Sequence, residues 1–111
     1  NITLAASRLK EIKENVETII LVHKTYMSLR FLATAQAQWP DPQPKFYTTC
    51  QTISFSDYCK ANDLNDTAWK MLGDLKRMES YVDAGYQTFQ DIPHSAIAAY
   101  DRIIKSGFIT R

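Results

Sequence analysis

The stretch LAASRLKEIKENVETIILVHKTYMSLRFLATAQA, residues 4–37, decides the fold of this chain. Apolar side chains recur along it from Leu9 to Ala37, with alternating steps of three and four residues. That spacing is typical of a heptad seam on one amphipathic helix. Because no Pro or Gly precedes Pro40, the pattern predicts a single helix roughly 50 Å long over residues 4–37.

A second periodic stretch begins near Leu64. Apolar residues continue at heptad spacing as far as Phe89, which predicts another long helix over residues 64–90. Gly85 marks the place where we expect a break, if the helix has one. Two helices of similar length with matching seams should pack antiparallel.

A third, shorter helix is expected over residues 93–106. Pro93 suits a first helical turn, and Gly107 is a natural left-handed stop after the last one. Sheet proteins need frequent tight turns, and the chain has only three glycines. The sequence therefore predicts an all-α fold: one domain over residues 1–111, an elongated bundle of two long antiparallel helices and a shorter third.

Residues 38–63 are expected to connect the two long helices. The prolines that follow Trp39 bias their neighbours away from helix. Ser54 and Asp57 have the spacing of a capping box, which predicts a short helix over residues 55–61. The connection is also rich in aromatic residues, so we expect it to lie against the bundle.

The chain has two cysteines, Cys50 and Cys59, and both lie in this connection. They lack the spacing and the neighbouring histidines of a zinc site, which leaves a short-loop disulfide or two unrelated thiols. We expect the disulfide, which would indicate an oxidising compartment, periplasmic or secreted. No signal segment opens the chain, as expected for an exported protein after processing or for an excised domain.

Composition excludes several classes of function. The hydrophobic share of 45% and the charged share of 23% are ordinary for a soluble globular protein. A net charge of +1 gives no strong field for nucleic acid or an anionic membrane, and no apolar run is long enough to span a bilayer. No catalytic motif or phosphate-binding glycine loop is present, so we expect no enzyme, no metal and no cofactor.

Two polar residues fall on the first seam. His23, with Met27 one turn away, could ligate haem or a metal in a ligand-binding bundle, but a hydrogen-bonded core histidine is the preferred interpretation. Arg30 is expected to extend to solvent or to pair with Asp74 or Glu79.

The third helix is too short to cover the whole groove between the long helices. The uncovered half would lie near Met27, Phe31, Trp69 and Leu72, which we predict to bind a partner. The expected function is therefore a non-enzymatic extracytoplasmic protein-binding module of the inhibitor, immunity or assembly-factor type. Its partner would be another protein or a second copy of the chain, as a homodimer.

Residues 95–111, SAIAAYDRIIKSGFITR, resemble the recognition helix and first wing strand of winged helix-turn-helix regulators. The shared features are a helix led by Ser, an aliphatic pair, and then Gly, two apolar residues and Arg. The resemblance implies an alternative function, a cytoplasmic nucleic-acid-binding regulator. The chain departs from that pattern because no short partner helix with its turn precedes Pro93, and a helix ended by glycine explains the same letters.

Overall fold

The computed structural model describes residues 2–40 and 42–108, and over those residues the fold is mixed α/β. The predicted all-α bundle is wrong, because a parallel pair of strands stands among the helices. In chain order, the elements are α1 (Ile2–Glu11), β1 (Thr18–Val22), a 3₁₀ turn (Thr25–Met27), α2 (Ser28–Gln38), β2 (Lys45–Thr49), α3 (Phe55–Ala61), α4 (Leu64–Asp83) and α5 (His94–Lys105).

The first long helix does not form. Instead α1 ends at Glu11, and Lys13 has a φ of 58°, in the left-handed region that side chains rarely adopt. After it, the β-branched run that begins at Thr18 becomes β1. A short apolar run fits the buried side of a helix as well as a buried strand, so the heptad spacing could not separate the two.

The two strands are neighbours in the sheet and run parallel to each other. Ile19 lies opposite Phe46, and Ile20 lies opposite Tyr47. A hydrogen bond of 2.8 Å from the Lys45 amide to the Glu17 carbonyl extends this ladder. Parallel strands need a crossover connection, and α2 supplies it. Residues 18–49 are therefore a βαβ unit.

The core lies on one side of this unit and is small. Ile2 from α1, Leu21 from β1 and Ala35 from α2 are buried against one another. Half-buried residues surround them: Ile19, Phe31, Leu32, Trp39 and Phe46. No large side chain in the described part of the chain is completely buried.

Local signals start α3 and α4 at the predicted residues, although α4 ends at Asp83 rather than near residue 90. The Ser54 hydroxyl accepts a hydrogen bond from the Asp57 amide at 3.1 Å, which caps α3 at the predicted position. An equivalent bond of 2.8 Å from the Asp66 amide to Asp63 caps α4. That helix has 20 residues and ends before Gly85, whose φ is 79°.

No antiparallel pair of long helices exists in the described ranges, because α1 and α2 have 10 and 11 residues and are separated by β1. The third helix, α5, lies within the predicted range. The expected first wing strand falls largely on residues 109–111, outside the described residues.

The predicted disulfide is also wrong. Cys50 directly follows β2 and Cys59 lies in α3, and both are free thiols. Their sulfur atoms are not at bonding distance, so no disulfide joins the two residues. The expectation of a periplasmic or secreted protein depended on that bond, so secretion has no support from the structure.

Residues 86–90 fold back across α2. The Thr88 amide donates to the Ala33 carbonyl at 3.0 Å, and the Thr88 hydroxyl donates to Gln36 Oε1 at 2.8 Å. Gln90 donates to the same Gln36 oxygen at 3.1 Å. These bonds hold the end of α4 close to the crossover helix.

The molecule is more open than a compact domain. Its radius of gyration is 16.0 Å, against about 13 Å expected for a compact chain of this length. Its accessible surface is 7994 Å², against about 6,200 Å² expected for a mass of 12.7 kDa. None of the described helices is long and apolar enough to cross a membrane.

Truncation of a side chain on the buried face of β1 should destabilise the protein, whereas truncation on the exposed face should have little effect. Leu21 is 6% exposed, so Leu21→Ala should lower the free energy of unfolding by about 2–4 kcal/mol, the cost of a cavity in the core. Ile20→Ala, on the other face of the strand, should change it by less than about 0.5 kcal/mol. Urea denaturation at a protein concentration low enough for the chain to be monomeric measures both. Equal effects would contradict the strand.

Thiol titration tests the corrected cysteine chemistry. Because both cysteines are free, the protein purified without reductant should give two reactive thiols per chain in denaturant. The same protein treated with reductant is the control and should give the same count. A chain without titratable thiols before reduction would restore the disulfide.

Candidate functional site

One face of the β-sheet is apolar and uncovered. Successive side chains of a strand point to opposite faces, so Ile19 and Leu21 meet the helices while their neighbours face away. Ile20, Val22 and Tyr47, here called the open sheet face, are 64%, 71% and 57% exposed. These three residues form an exposed apolar surface on the βαβ unit.

The register makes the open sheet face continuous. Ile20 and Tyr47 are directly opposed across the two strands, and Val22 lies two positions further along the same face, opposite Thr49. Parallel sheets normally have both faces covered, and two strands alone are marginally stable. The open sheet face is therefore a surface that the local architecture leaves incomplete.

A buried ion cluster joins α2 to α4. Arg30 Nη1 lies 2.5 Å from Asp74 Oδ1, which confirms one of the two partners predicted for this arginine. Arg77 Nη1 approaches the same oxygen at 3.3 Å. The Asp74 side chain is 8% exposed, so its charge needs these partners.

Two adjoining cavities lie beside this cluster and share Met27 and Arg30. The first has a volume of about 330 Å³ and is bordered by Phe31 and the start of α1. The second, here called the cationic cavity, has a volume of about 440 Å³. Its lining residues are Lys24, Tyr26, Met27, Arg30, Trp69, Lys70, Gly73, Asp74 and Arg77.

Positive charge dominates the cationic cavity. Its four lining cations, Lys24, Arg30, Lys70 and Arg77, outnumber the one lining carboxylate, Asp74. Asp66, outside the lining, binds Lys70 at 2.7 Å, and this hydrogen bond raises the pKa of the lysine.

Tyr26 adds no negative charge to this cavity near neutral pH. Burial raises the pKa of its phenol, and the electrostatic effect of the neighbouring Tyr58 acts in the same direction. The two rings meet edge to face, with centroids 6.0 Å apart. Tyr26 therefore contributes a neutral aromatic wall.

The structure brings three of the four predicted partner-binding residues to these cavities. Met27 and Phe31 line the first cavity, and Met27 and Trp69 line the second. All three are half-buried, whereas Leu72 is buried. Their role in binding a partner stays a prediction.

His23 has the environment of a packed histidine. Its Nδ1 accepts a hydrogen bond from the Lys24 amide at 2.8 Å, and its ring lies edge-on to Phe31 with centroids 5.0 Å apart. Within the described ranges, no group of three or more His, Cys, Asp and Glu residues could hold a metal ion.

Sequence reasoning missed the open sheet face entirely. A signal was present in the five residues from Thr18 to Val22, four of which are β-branched. The cationic cavity was predicted only in part. A pairing of Arg30 with Asp74 or Glu79 was expected, but no sequence pattern connected Lys24 with Arg77.

Comparison with known proteins finds a relative whose description assigns it no activity. The chain is 30% identical over 112 residues to an uncharacterized protein of Streptomyces coelicolor. The alignment includes 100% of this chain and 50% of the relative, so the chain spans about half the length of the curated protein it matches. No protein-family model matches the chain, and no solved structure is significantly similar to it.

Substitution of Arg30 tests the ion cluster. Arg30→Gln should lower the free energy of unfolding by about 1–3 kcal/mol, less than the loss of a fully buried pair, because Arg77 stays beside Asp74. Arg8→Gln is the control, since the pair between Arg8 and Glu11 is exposed and should contribute less than about 0.5 kcal/mol. Chemical denaturation of both variants measures the difference. Equal effects would mean that the cluster does not join α2 to α4.

Proposed function

We propose that this chain is a non-enzymatic protein-binding module, that it acts through the open sheet face, and that its partner is a second copy of the chain. The observation that carries the proposal is the exposure of Ile20, Val22 and Tyr47 on one face of a parallel sheet. Parallel strands bury both faces in most proteins, so a second layer is needed on this side.

The area of the molecule supports a missing layer. The accessible surface of 7994 Å² exceeds that of a compact domain of the same mass by roughly 1,700 Å². A standard protein interface removes about 800 Å² from each partner, so the excess is enough for a stable interface. The open sheet face contributes to this exposure, since β2 contains no buried residue.

A second copy fits this face by symmetry and by charge. A two-fold axis would bring Ile20 and Tyr47 of one chain against the same residues of the other, which is a self-complementary interface. Two sheets stacked in this way lie about 10 Å apart and interdigitate their side chains. The net charge of +1 gives little repulsion between copies.

The non-enzymatic part of the proposal rests on the sequence, which combines no nucleophile and base in a recognisable motif. The residues predicted earlier for partner binding, Met27, Phe31, Trp69 and Leu72, are less exposed than the open sheet face. For this reason the sheet, rather than the groove between α2 and α4, is the preferred interface.

Sedimentation equilibrium tests the proposal. The full chain should sediment at twice its mass of 12.7 kDa at micromolar concentrations, and Ile20→Glu should weaken association at least about tenfold, because it buries a charge in an apolar contact. Leu64→Glu is the control: Leu64 is also exposed, but it lies at the start of α4.

Three results would overturn the proposal. A wild-type chain that stays monomeric at high concentration contradicts self-association. A dimer that Ile20→Glu leaves intact contradicts the open sheet face. A dimer that dissociates with Phe31→Glu while Ile20→Glu has no effect places the interface at the groove instead.

A further inference from the structure

We propose that the cationic cavity is a binding site for a small organic phosphate monoester. The phosphate group would lie among Arg30, Arg77 and Lys24, and an aromatic ring would lie against Trp69 and Tyr26. This site shares no residue with the open sheet face, so the two proposals stand independently.

The two arginines carry two positive charges at a place where Asp74 supplies only one negative charge. Both Nη1 atoms contact the same oxygen of Asp74, at 2.5 and 3.3 Å. The two guanidinium groups therefore lie within about 6 Å of each other, a distance at which like charges repel. A guanidinium has five N–H donors, and these contacts use one nitrogen of each group. A second anion would relieve the repulsion and accept from the remaining donors.

The charge of the cavity matches a dianion. With Asp74 and the Asp66 that binds Lys70 both counted, the four lining cations leave two positive charges in excess. Lys24 forms no salt bridge with any described residue. A phosphate monoester carries a charge of about −1.5 to −2 near pH 7, whereas a carboxylate carries one. The excess therefore favours a phosphate.

The size and lining of the cavity favour an organic phosphate over the inorganic ion. Its volume of about 440 Å³ lies in the range of small-molecule sites, and a water molecule takes up only about 30 Å³. Trp69 and Tyr26 add flat aromatic surface beside the cations. Such surface binds a planar ring by stacking.

Gly73 keeps the cavity open for Arg77. A Cβ atom at this position would lie 3.0 Å from Arg77 Nη1, closer than ordinary contacts allow. A Cβ here would require the guanidinium beside Asp74 to shift by a few tenths of an ångström. Glycine at this position of α4 costs about 1 kcal/mol of helix stability relative to alanine.

Phosphorus NMR titration of the full chain tests the proposal, with phenyl phosphate and inorganic phosphate as probes. Phenyl phosphate should bind at least about fivefold more tightly than inorganic phosphate, because only the ester places a ring against the aromatic wall. Equal affinity for the two probes would overturn an organic ligand and leave an adventitious ion only. Absence of binding by phenyl phosphate at millimolar concentration would overturn the site.

Matched variants locate the site. Arg77→Gln should lower the affinity for phenyl phosphate at least about tenfold, because it removes a charged donor to the phosphate. The bond between Arg30 and Asp74 remains in this variant, so the chain should still fold. Gly73→Ala should weaken binding less than Arg77→Gln does, because it shifts the Arg77 guanidinium by only a few tenths of an ångström and leaves the charge unchanged.

Arg102→Gln is the control for a general attraction of anions, since Arg102 is an exposed arginine of α5 outside the cavity. Its affinity for phenyl phosphate should equal that of the wild type. If all three variants bind alike, or if Arg102→Gln loses as much affinity as Arg77→Gln, the cavity is not the site. Circular dichroism of each variant verifies that the helices are intact.

Discussion

The parallel pairing of β1 with β2 is the constraint on which the first half of the molecule depends. Strands that run in the same direction cannot be joined by a tight turn, so the chain between Val22 and Lys45 must cross over one face of the sheet. This crossover places α2 on the face that carries Leu21 and brings Ala35 into the core. The same constraint leaves the opposite face without a layer, because the chain provides one crossover to two strands.

Polar contacts help to attach the second half to that unit. The carboxylate of Asp74 reaches Arg30 on α2, and the Thr88 and Gln90 side chains reach Gln36 further along the same helix. Neutral hydrogen bonds contribute about 0.5–1.5 kcal/mol each and bonds to charged groups somewhat more. A small apolar core joined by such contacts explains how the fold holds together while exposing more surface than a compact domain of its mass.

The two proposed binding surfaces arise from different features of the fold. The open sheet face is what remains when a parallel sheet has helices on one side, and it suits a protein because it is flat and apolar. The cationic cavity is what remains when two arginines share one buried carboxylate, and it suits an anion because positive charge is left over. Since they have no residue in common, occupation of one does not require the other to be empty.

Local signals in the sequence determined much of the second half. Ser54 and Asp63 act as caps through bonds that span three residues, and Gly85 ends α4 through its own backbone conformation, so each could be found without knowing the rest of the fold. A pairing of Arg30 with Asp74 or Glu79 could be proposed from the sequence because Arg30 falls on the predicted seam, where a charge that does not reach solvent needs an acidic partner.

The tertiary structure alone decided the first half. The run from Thr18 to Val22 becomes a strand because β2 forms hydrogen bonds with its backbone groups. Thr18 pairs with Lys45, which lies 27 residues further along the chain. The cost of leaving those groups unpaired cannot be read from local spacing. The same long-range pairing separated α1 from α2, and in this arrangement Cys50 and Cys59 are free thiols. A pattern of apolar residues specifies which side chains seek burial, but the partner strand determines which backbone geometry buries them.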